Sequence, residues 1–499
     1  MFKEFRKLLT HSIIYGVGNI MRNAVGFLLI PLYTRCLLPS DYGVIEILSI
    51  VSTMCGIFLG MGLSSAALRY YFEYDNEKEK KQVISTVSLA SLLFVFVAMF
   101  ILSLFSDKFS NLFFNTPEYA KLFKLVFVLM FLETTIEIPF AFIRAKERSV
   151  LFVGVSVGRL IVALTCTIYL VIYLKMGITG VIISNLVATA FSWLFLTAVT
   201  FHYCRFAFSL EKLRSIMQYG MPLIIVSCGM YVLNSVDRIF LNRYTDLATV
   251  GIYSLGFRFG IILRFLIIQP FMAGYGPYRF SIMKKDNARD IYARVLTYFC
   301  FVLVFSGLIL AVFIKEVIAL MTTPAFFSAY KIVPFILSGT ICYGVFFICQ
   351  IGIYLQKKTN SIAIILVCVA VLHLLLNWLL VPVFNMHGAA LVNFLSYLVL
   401  VLITLKVSQR YYPIDYEYGR IVKLTVLAVL WYLICRLFVP DFSILGMAIK
   451  LLLVALFPWA LQLVHFYKSG EINKLKEIKN TIFARWVYRG INNQKKAVR

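Results

Sequence analysis

Apolar runs of about 20 residues follow one another along the whole chain, separated by short polar segments. At a rise of 1.5 Å per residue, each run is long enough to cross a bilayer as a helix. Fourteen spans are predicted, at roughly 11–33, 43–67, 83–105, 120–143, 150–173, 178–201, 218–242, 249–276, 293–314, 330–354, 361–382, 388–406, 420–439 and 445–467. A transmembrane barrel would instead show strictly alternating segments of about 10 residues, and none occurs. The expected fold class is an all-α polytopic membrane protein of about 14 transmembrane helices. Composition agrees: 61% of the residues are hydrophobic and 14% charged, against about 45–50% and about 25% in a soluble domain.

The formal charge of +25 raises the question of nucleic acid, but its distribution answers otherwise. The segments between spans alternate in charge. One set holds Lys3, Arg6 and Lys7; Arg69, Lys78, Lys80 and Lys81; Arg144, Lys146 and Arg148; Arg205, Lys212 and Arg214; Arg279, Lys284, Lys285 and Arg289; Lys357 and Lys358; Lys406 and Arg410. The other set holds little beyond Arg35, Lys108, Lys175, Arg243, Lys315 and Arg436. The positive-inside rule puts the first set, and with it both termini, in the cytoplasm of a bacterial-type inner membrane, with no nucleic-acid partner. The basic start before the first apolar run resembles a signal peptide. No small-residue cleavage site follows and Arg22 interrupts the run, so a retained first helix is expected. The cysteines show no disulfide or metal-ligand spacing and read as small core residues.

The chain repeats. Gly43 and Gly251, Gly180 and Gly388, and Asn185 and Asn393 are each 208 positions apart, and Pro117 and Pro324 are 207 apart. Two homologous six-span halves follow. An even number of spans makes them parallel, related by an axis along the membrane normal. The expected organisation is an N-terminal lobe over 1–205, a C-terminal lobe over 206–410, two further spans over 411–467 and a basic tail over 468–499. In the tail Ile472, Leu475, Ile478, Ile482 and Phe483 recur at helical spacing beside Lys474, Lys476 and Lys479, as in an amphipathic helix lying on anionic lipid.

Several motifs punctuate the spans. Pro39-Ser-Asp-Tyr-Gly43 is a turn in which Ser40 or Asp41 can cap the second helix, and Pro222 is expected in the first turns of its span. Pro31-Leu-Tyr-Thr-Arg-Cys-Leu-Leu-Pro-Ser-Asp-Tyr-Gly43 is one of three stretches that resemble the polysaccharide-transporter branch, with its Wzx-type flippases, of the multidrug/oligosaccharidyl-lipid/polysaccharide exporter superfamily. The second runs from Tyr219-Gly-Met-Pro222 through Asn234-Ser-Val-Asp-Arg-Ile-Phe-Leu241 to Val250-Gly-Ile-Tyr-Ser254. The third is Gly177-Ile-Thr-Gly180, echoed by Met386-His-Gly388, and Arg144-Ala-Lys-Glu-Arg148 also fits. The resemblance covers at least twelve spans. It implies two six-helix lobes in a V, alternating access, and a lipid-diphosphate-linked oligosaccharide as cargo.

Charged residues at mid-membrane depth cost about 2.5–3.5 kcal/mol each on insertion scales, so each is a functional candidate. Here they are Arg22, Glu46, Glu133, Glu137, Arg159, Asp237, Arg238, Arg258 and Arg264. Arg22, Arg258 and Arg264 are candidates for a diphosphate, because guanidinium presents a fixed fork of donors and stays charged in a low dielectric. Asn234, from the second motif, joins them as a substrate-binding candidate. Glu133 and Glu137, four apart on one helix face and followed by Pro139, are candidates for coupling to H⁺ or Na⁺, with Asp237. Permanent ion pairs compete with these roles: Arg258 with Asp237, and Arg159 with Glu137, fall at similar depths. His373 reads as a hydrogen-bonded core residue.

No Walker motif, catalytic triad or zinc signature is present, and the outward loops are short, so neither catalysis nor a cofactor or metal is expected. The leading expectation is a flippase for an undecaprenyl-diphosphate-linked oligosaccharide, acting beside a polymerase and glycosyltransferases within the lipid bilayer. A cation-coupled drug antiporter, a lipid II flippase and a scaffolding subunit are the alternatives. The antiporter should carry acids in its cavity, whereas this chain offers more Arg than acid among the candidates.

Overall fold

The computed structural model describes residues 26–204, 206–468 and 470–471. Among them, twelve helices are long and apolar enough to cross a membrane: α1 (Pro39–Glu73), α2 (Glu77–Leu104), α3 (Ala120–Ala145), α4 (Ser149–Tyr173), α5 (Gly177–Cys204), α6 (Leu210–Ser235), α7 (Leu247–Ser281), α8 (Ala288–Met321), α9 (Val333–Leu355), α10 (Asn360–Tyr411), α11 (Tyr418–Phe438) and α12 (Ile444–Leu463). The chain is an all-α, multi-pass membrane protein. Each helix coincides with an apolar run, and α10 takes in two of them. Asn385, with φ 49° and ψ −131°, breaks α10 between the expected spans 361–382 and 388–406. The first expected span lies mostly outside the described residues, and its visible end is the short helix Ile30–Cys36.

Caps set the helix starts. Asp41 Oδ2 accepts the Leu38 amide at 3.0 Å, so of the two expected candidates it is Asp41 that serves α1. Asn76 accepts the Lys78 amide at 2.9 Å, Asp246 the Thr249 amide at 2.6 Å, and Ser443 the Gly446 amide at 2.8 Å. Ser209 caps α6, which therefore begins well before its apolar run. Pro222 consequently lies in the helix interior and not in its first turns, a correction to the sequence expectation. The polar stretch Glu211–Gln218 hid that extension.

Helix α7 departs from α geometry at Arg264–Ile268, which forms i→i+5 hydrogen bonds. Pro270 follows and has no N–H to donate one turn back, so the ladder must adjust ahead of it.

The described residues form two compact units, one of the chain up to Tyr292 together with Ile314–Asp415, the other of Ala293–Phe313 and the chain from Tyr416 onward. In the first unit, Val44, Leu48 and Val51 of α1 pack on Phe123, Phe127 and Met130 of α3 and on Ile182 of α5. On its other side α1 gives Ile47 and Ile50 to a core with Val250, Tyr253 and Phe257 of α7 and with Ile332 and Ile336. Helices α1 and α7 thus join the two sequence halves, and the candidate site lies beside their contact. In the second unit, Phe305 stacks on Phe457, which Trp431 meets edge-on.

Candidate functional site

A cavity of about 470 Å³ lies in the first unit. Helices α1, α3, α4 and α5 supply nearly all of its wall, including Ser49, Glu133, Glu137, Arg159 and Asn185, and Tyr33 joins them from the preceding segment. From the second sequence half, α7 contributes Arg258.

Arg258 is anchored and still partly open. Its Nη2 lies 2.5 Å from Glu46 Oε1, and Nη1 donates to the Gly26 carbonyl at 3.4 Å. The guanidinium stands 5.3 Å from the centre of the Tyr42 ring. The Arg258 side chain keeps 32% of its surface exposed while Glu46 keeps 12%. The carboxylate is therefore the more buried member, and Arg258 lines the cavity. The competing pairing with Asp237 does not form.

Arg159 pairs with Glu133 at 3.2 Å and donates to Thr189 Oγ1 at 2.9 Å. Sequence depth had matched it to Glu137; one turn of α3 separates the two. Glu137 lines the same cavity, and its backbone carbonyl accepts Ser64 Oγ at 3.3 Å. Counted with Glu46, the acids around this cavity are no fewer than the described guanidiniums. The expected excess of Arg over acid is therefore not seen among the described residues. Arg22, the remaining candidate, lies outside them.

Asn234 and Arg264 come together elsewhere. Arg264 Nη1 and the Tyr397 hydroxyl both donate to Asn234 Oδ1, the latter at 2.9 Å. The guanidinium of Arg264 sits 4.2 Å from the Tyr343 ring centre. Neither Asn234 nor Arg264 is among the described residues lining the Arg258 cavity. Next to them Asp237 is wholly buried. Its Oδ1 lies 3.0 Å from Arg238 Nη1, and its Oδ2 accepts the Tyr253 hydroxyl. Arg238 also reaches the Asn234 carbonyl at 2.6 Å and lies 4.0 Å from the Phe257 ring centre. Asp237 thus belongs to a network of the second half, apart from Glu133 and Glu137. His373 is buried with Nδ1 2.9 Å from Ser396 Oγ, as a core residue would be.

Sequence reasoning counted Glu46 among the intramembrane charges without giving it a role. In the sequence Tyr33 is a motif member and Asn185 a repeat anchor, and neither position signals that it lines a cavity.

A family model described as "Polysaccharide biosynthesis protein" matches residues 8–283, more than half of the chain. The chain belongs to that family.

Among curated relatives, a succinoglycan biosynthesis transport protein, ExoT, of Rhizobium meliloti (strain 1021) is 22% identical over 54% of this chain and 53% of its own length. The chain thus spans about half the length of that relative. The Lsg locus putative protein 1 of Haemophilus influenzae is 21% identical over 56% of this chain and 68% of its own. Among solved structures, the lipid II flippase MurJ in an inward closed conformation aligns with a TM-score of 0.74 at 16% identity, covering 92% of this chain and 98% of that one. The Vibrio cholerae MATE transporter VcmN aligns with a TM-score of 0.57 at 13% identity, over 81% and 96%. At such identities these likenesses establish the fold. The family match and the shared fold agree with the resemblance that the motifs carry to the polysaccharide-transporter branch of the exporter superfamily.

Proposed function

We propose that this family member flips an undecaprenyl-diphosphate-linked oligosaccharide, the repeat unit of an O-antigen, capsule or exopolysaccharide, from the cytoplasmic to the outer leaflet by alternating access. The observation that carries the reading is Arg258. A guanidinium from the second half lines a cavity walled by the first, held by Glu46 and still partly exposed. It is a fork of donors matched to phosphate oxygens at the place where two lobes must part and close. Arg22 completes the anion site in this reading, and Arg264 with Asn234 forms a second station. The lobes are 1–205 and 206–410, with 411–467 and the tail appended. Both termini are cytoplasmic in a bacterial inner membrane, and the polymerase and glycosyltransferases act on either side of the flipping step.

The carboxylates favour a second element. Glu133 and Glu137 share the cavity with Arg258, so H⁺ or Na⁺ uptake there would be felt directly by the anion site. The same carboxylates are what a cation-coupled drug antiporter of this fold would use, and lipid II is the third cargo to compare.

The test is a deletion strain complemented with the wild type or with Arg258→Gln, scored for surface polysaccharide, for lipid-linked repeat unit on each leaflet, and for protein level in the membrane. The reading expects repeat units to accumulate on the inner leaflet when the chain is missing. Unchanged polysaccharide, with drug resistance lost instead, would assign the antiporter role.

A further inference from the structure

A second cavity, of about 280 Å³, adjoins the first. Ser52, Glu133 and Glu137 line both, so the two spaces share a wall. Its chemistry differs from that of its neighbour. Ser52, Thr53, Ser64, Ser65, Ser91, Thr134 and Ser227 line it, and among the described residues lining it there is no Lys, no Arg and no aromatic ring. Gly56 and Gly60, four apart on α1, bring that helix onto Thr134 of α3. A Cβ at Gly56 would lie 3.0 Å from Thr134 Oγ1, and one at Gly60 3.5 Å from Thr134 Cγ2. Gly62, which lines the cavity, meets Gly220: a Cβ on Gly62 would stand 2.6 Å from the Gly220 carbonyl oxygen.

We propose that this hydroxyl-lined cavity is the saccharide subsite, and that it takes uncharged sugars and excludes acidic ones. The inference rests on the flippase reading and adds the placement of the glycan and its charge class. A diphosphate needs cationic donors, and this wall offers none among its described residues. A sugar presents hydroxyls that both donate and accept. The serine and threonine side chains match them in kind, and a carboxylate accepts from neighbouring hydroxyls of one ring. Glu133, held by Arg159, and Glu137 stand at the junction with the first cavity; an ionised carboxylate offers acceptor sites alone, so each can take a sugar hydroxyl and neither can take the carboxylate of a uronic acid. Without an aromatic platform the subsite reads hydroxyls and charge and does not read the apolar face of a particular ring. It therefore sorts by charge class more sharply than by sugar identity. A diphosphate on Arg258 and the first sugars beyond it would occupy the two spaces in sequence, as one linked substrate.

The experiment uses the full chain in proteoliposomes and a short polyprenyl-diphosphate-linked neutral disaccharide carrying a diazirine on its terminal sugar. Photolysis followed by peptide mapping should place label within residues 52–65 and 130–138. A non-photoreactive neutral disaccharide probe should compete about tenfold better than its uronic-acid counterpart. Glu137→Gln leaves the Arg159–Glu133 pair intact and should bring the two competitors towards parity, and Glu133→Gln supplies an independent second variant. Label confined to other segments, equal competition by the two probes in the wild type, or a preference surviving in both variants would overturn the subsite. Translocation is read in the same vesicles from the access of an external lectin to the glycan. Labelling of this cavity without translocation would reject the flippase reading and keep the subsite. Translocation with label elsewhere would do the reverse.

Discussion

Gly43 and Gly251 lie against each other's helix backbones. A Cβ on Gly43 would fall 2.0 Å from the carbonyl oxygen of Leu247, and one on Gly251 would fall 1.9 Å from that of Pro39. Leu247 precedes Gly251 by four residues and Pro39 precedes Gly43 by four, so the contact is reciprocal. The two glycines are also repeat partners, 208 positions apart. In the proposed two-lobe organisation this symmetric contact lies on the axis that relates the lobes. The obstacle to a side chain is backbone on both sides and cannot rotate away. Gly43→Ala or Gly251→Ala must therefore separate α1 from α7, at the upper end of the about 1–3 kcal/mol typical of overpacking, or beyond it. Thermal unfolding in detergent should show either variant clearly less stable than the wild type. An alanine tolerated at both positions would show that α1 and α7 are not in this contact.

The charge alternation gives a topology that can be checked loop by loop. Reporter fusions after Lys108, Arg243 and Lys315 should read as outside, and fusions after Lys80, Lys285 and Lys357 as inside. One inverted segment among these would move a span and break the parallel-halves relation.

The apolar runs made the membrane helices legible, because twenty consecutive apolar residues have few other destinations. What they could not mark was a helix continuing into polar sequence, as α6 does from Leu210. Nor could they show a single kinked element such as α10 bending at Asn385. The charged candidates were legible by type, since any Glu or Arg in such a run is conspicuous. Their partners were not. Depth along a helix can be counted to about one turn, but pairing also depends on rotation and on neighbours distant in sequence. Arg159 took Glu133 in place of Glu137, and Arg258 took Glu46, 212 residues away. The second cavity had no signature at all, because scattered serines in membrane helices are ordinary.

The tail begins in an ion network of the second unit. Glu417 accepts from Thr297 and Arg420, each at 2.7 Å, and pairs with Lys468 at 2.5 Å. Glu471 accepts from Arg420 at 2.7 Å and from Tyr298 at 2.6 Å. Burial alone would raise the pKa of Glu417, but Lys468, Thr297 and Arg420 outweigh it and hold the carboxyl below its ordinary value. Glu471 is likewise held low against burial, by Tyr298, the Lys468 amide and Arg420. A depressed carboxyl stabilises the folded state above its ordinary pKa, and that contribution is lost as pH falls through the depressed value. Hydrogen–deuterium exchange over 416–471, corrected for the intrinsic pH dependence of exchange, should therefore show stronger protection at neutral pH than well below the ordinary carboxylate range. The network also marks how far the chain can be shortened. Ending the chain after Ile472 keeps these pairs, whereas ending it before Lys468 removes those of Lys468 and Glu471, leaves Glu417 with Thr297 and Arg420, and should lower the stability of the second unit. Equal stability of the two truncations would show that the network contributes nothing.

The pair Glu46–Arg258 separates a structural role from a substrate role, because the two make opposite forecasts for a double variant. Glu46 is the more buried partner. Arg258→Gln alone leaves that carboxylate without its guanidinium, and the cost of a desolvated, unpaired charge should appear as less folded protein in the membrane. Adding Glu46→Gln removes the stranded charge, so the double variant should recover membrane level, and the double-mutant cycle should show a favourable coupling between the two. If Arg258 serves only as a strut, transport recovers with the protein level. If its fork binds diphosphate, the double variant is abundant and inactive. Arg258→Lys then restores part of the transport, because it keeps the charge and loses the two-pronged geometry. Surface polysaccharide per unit of membrane protein is the measurement. Wild-type export by an abundant Glu46→Gln, Arg258→Gln variant would remove Arg258 from the anion site and leave the proposed function without its principal residue.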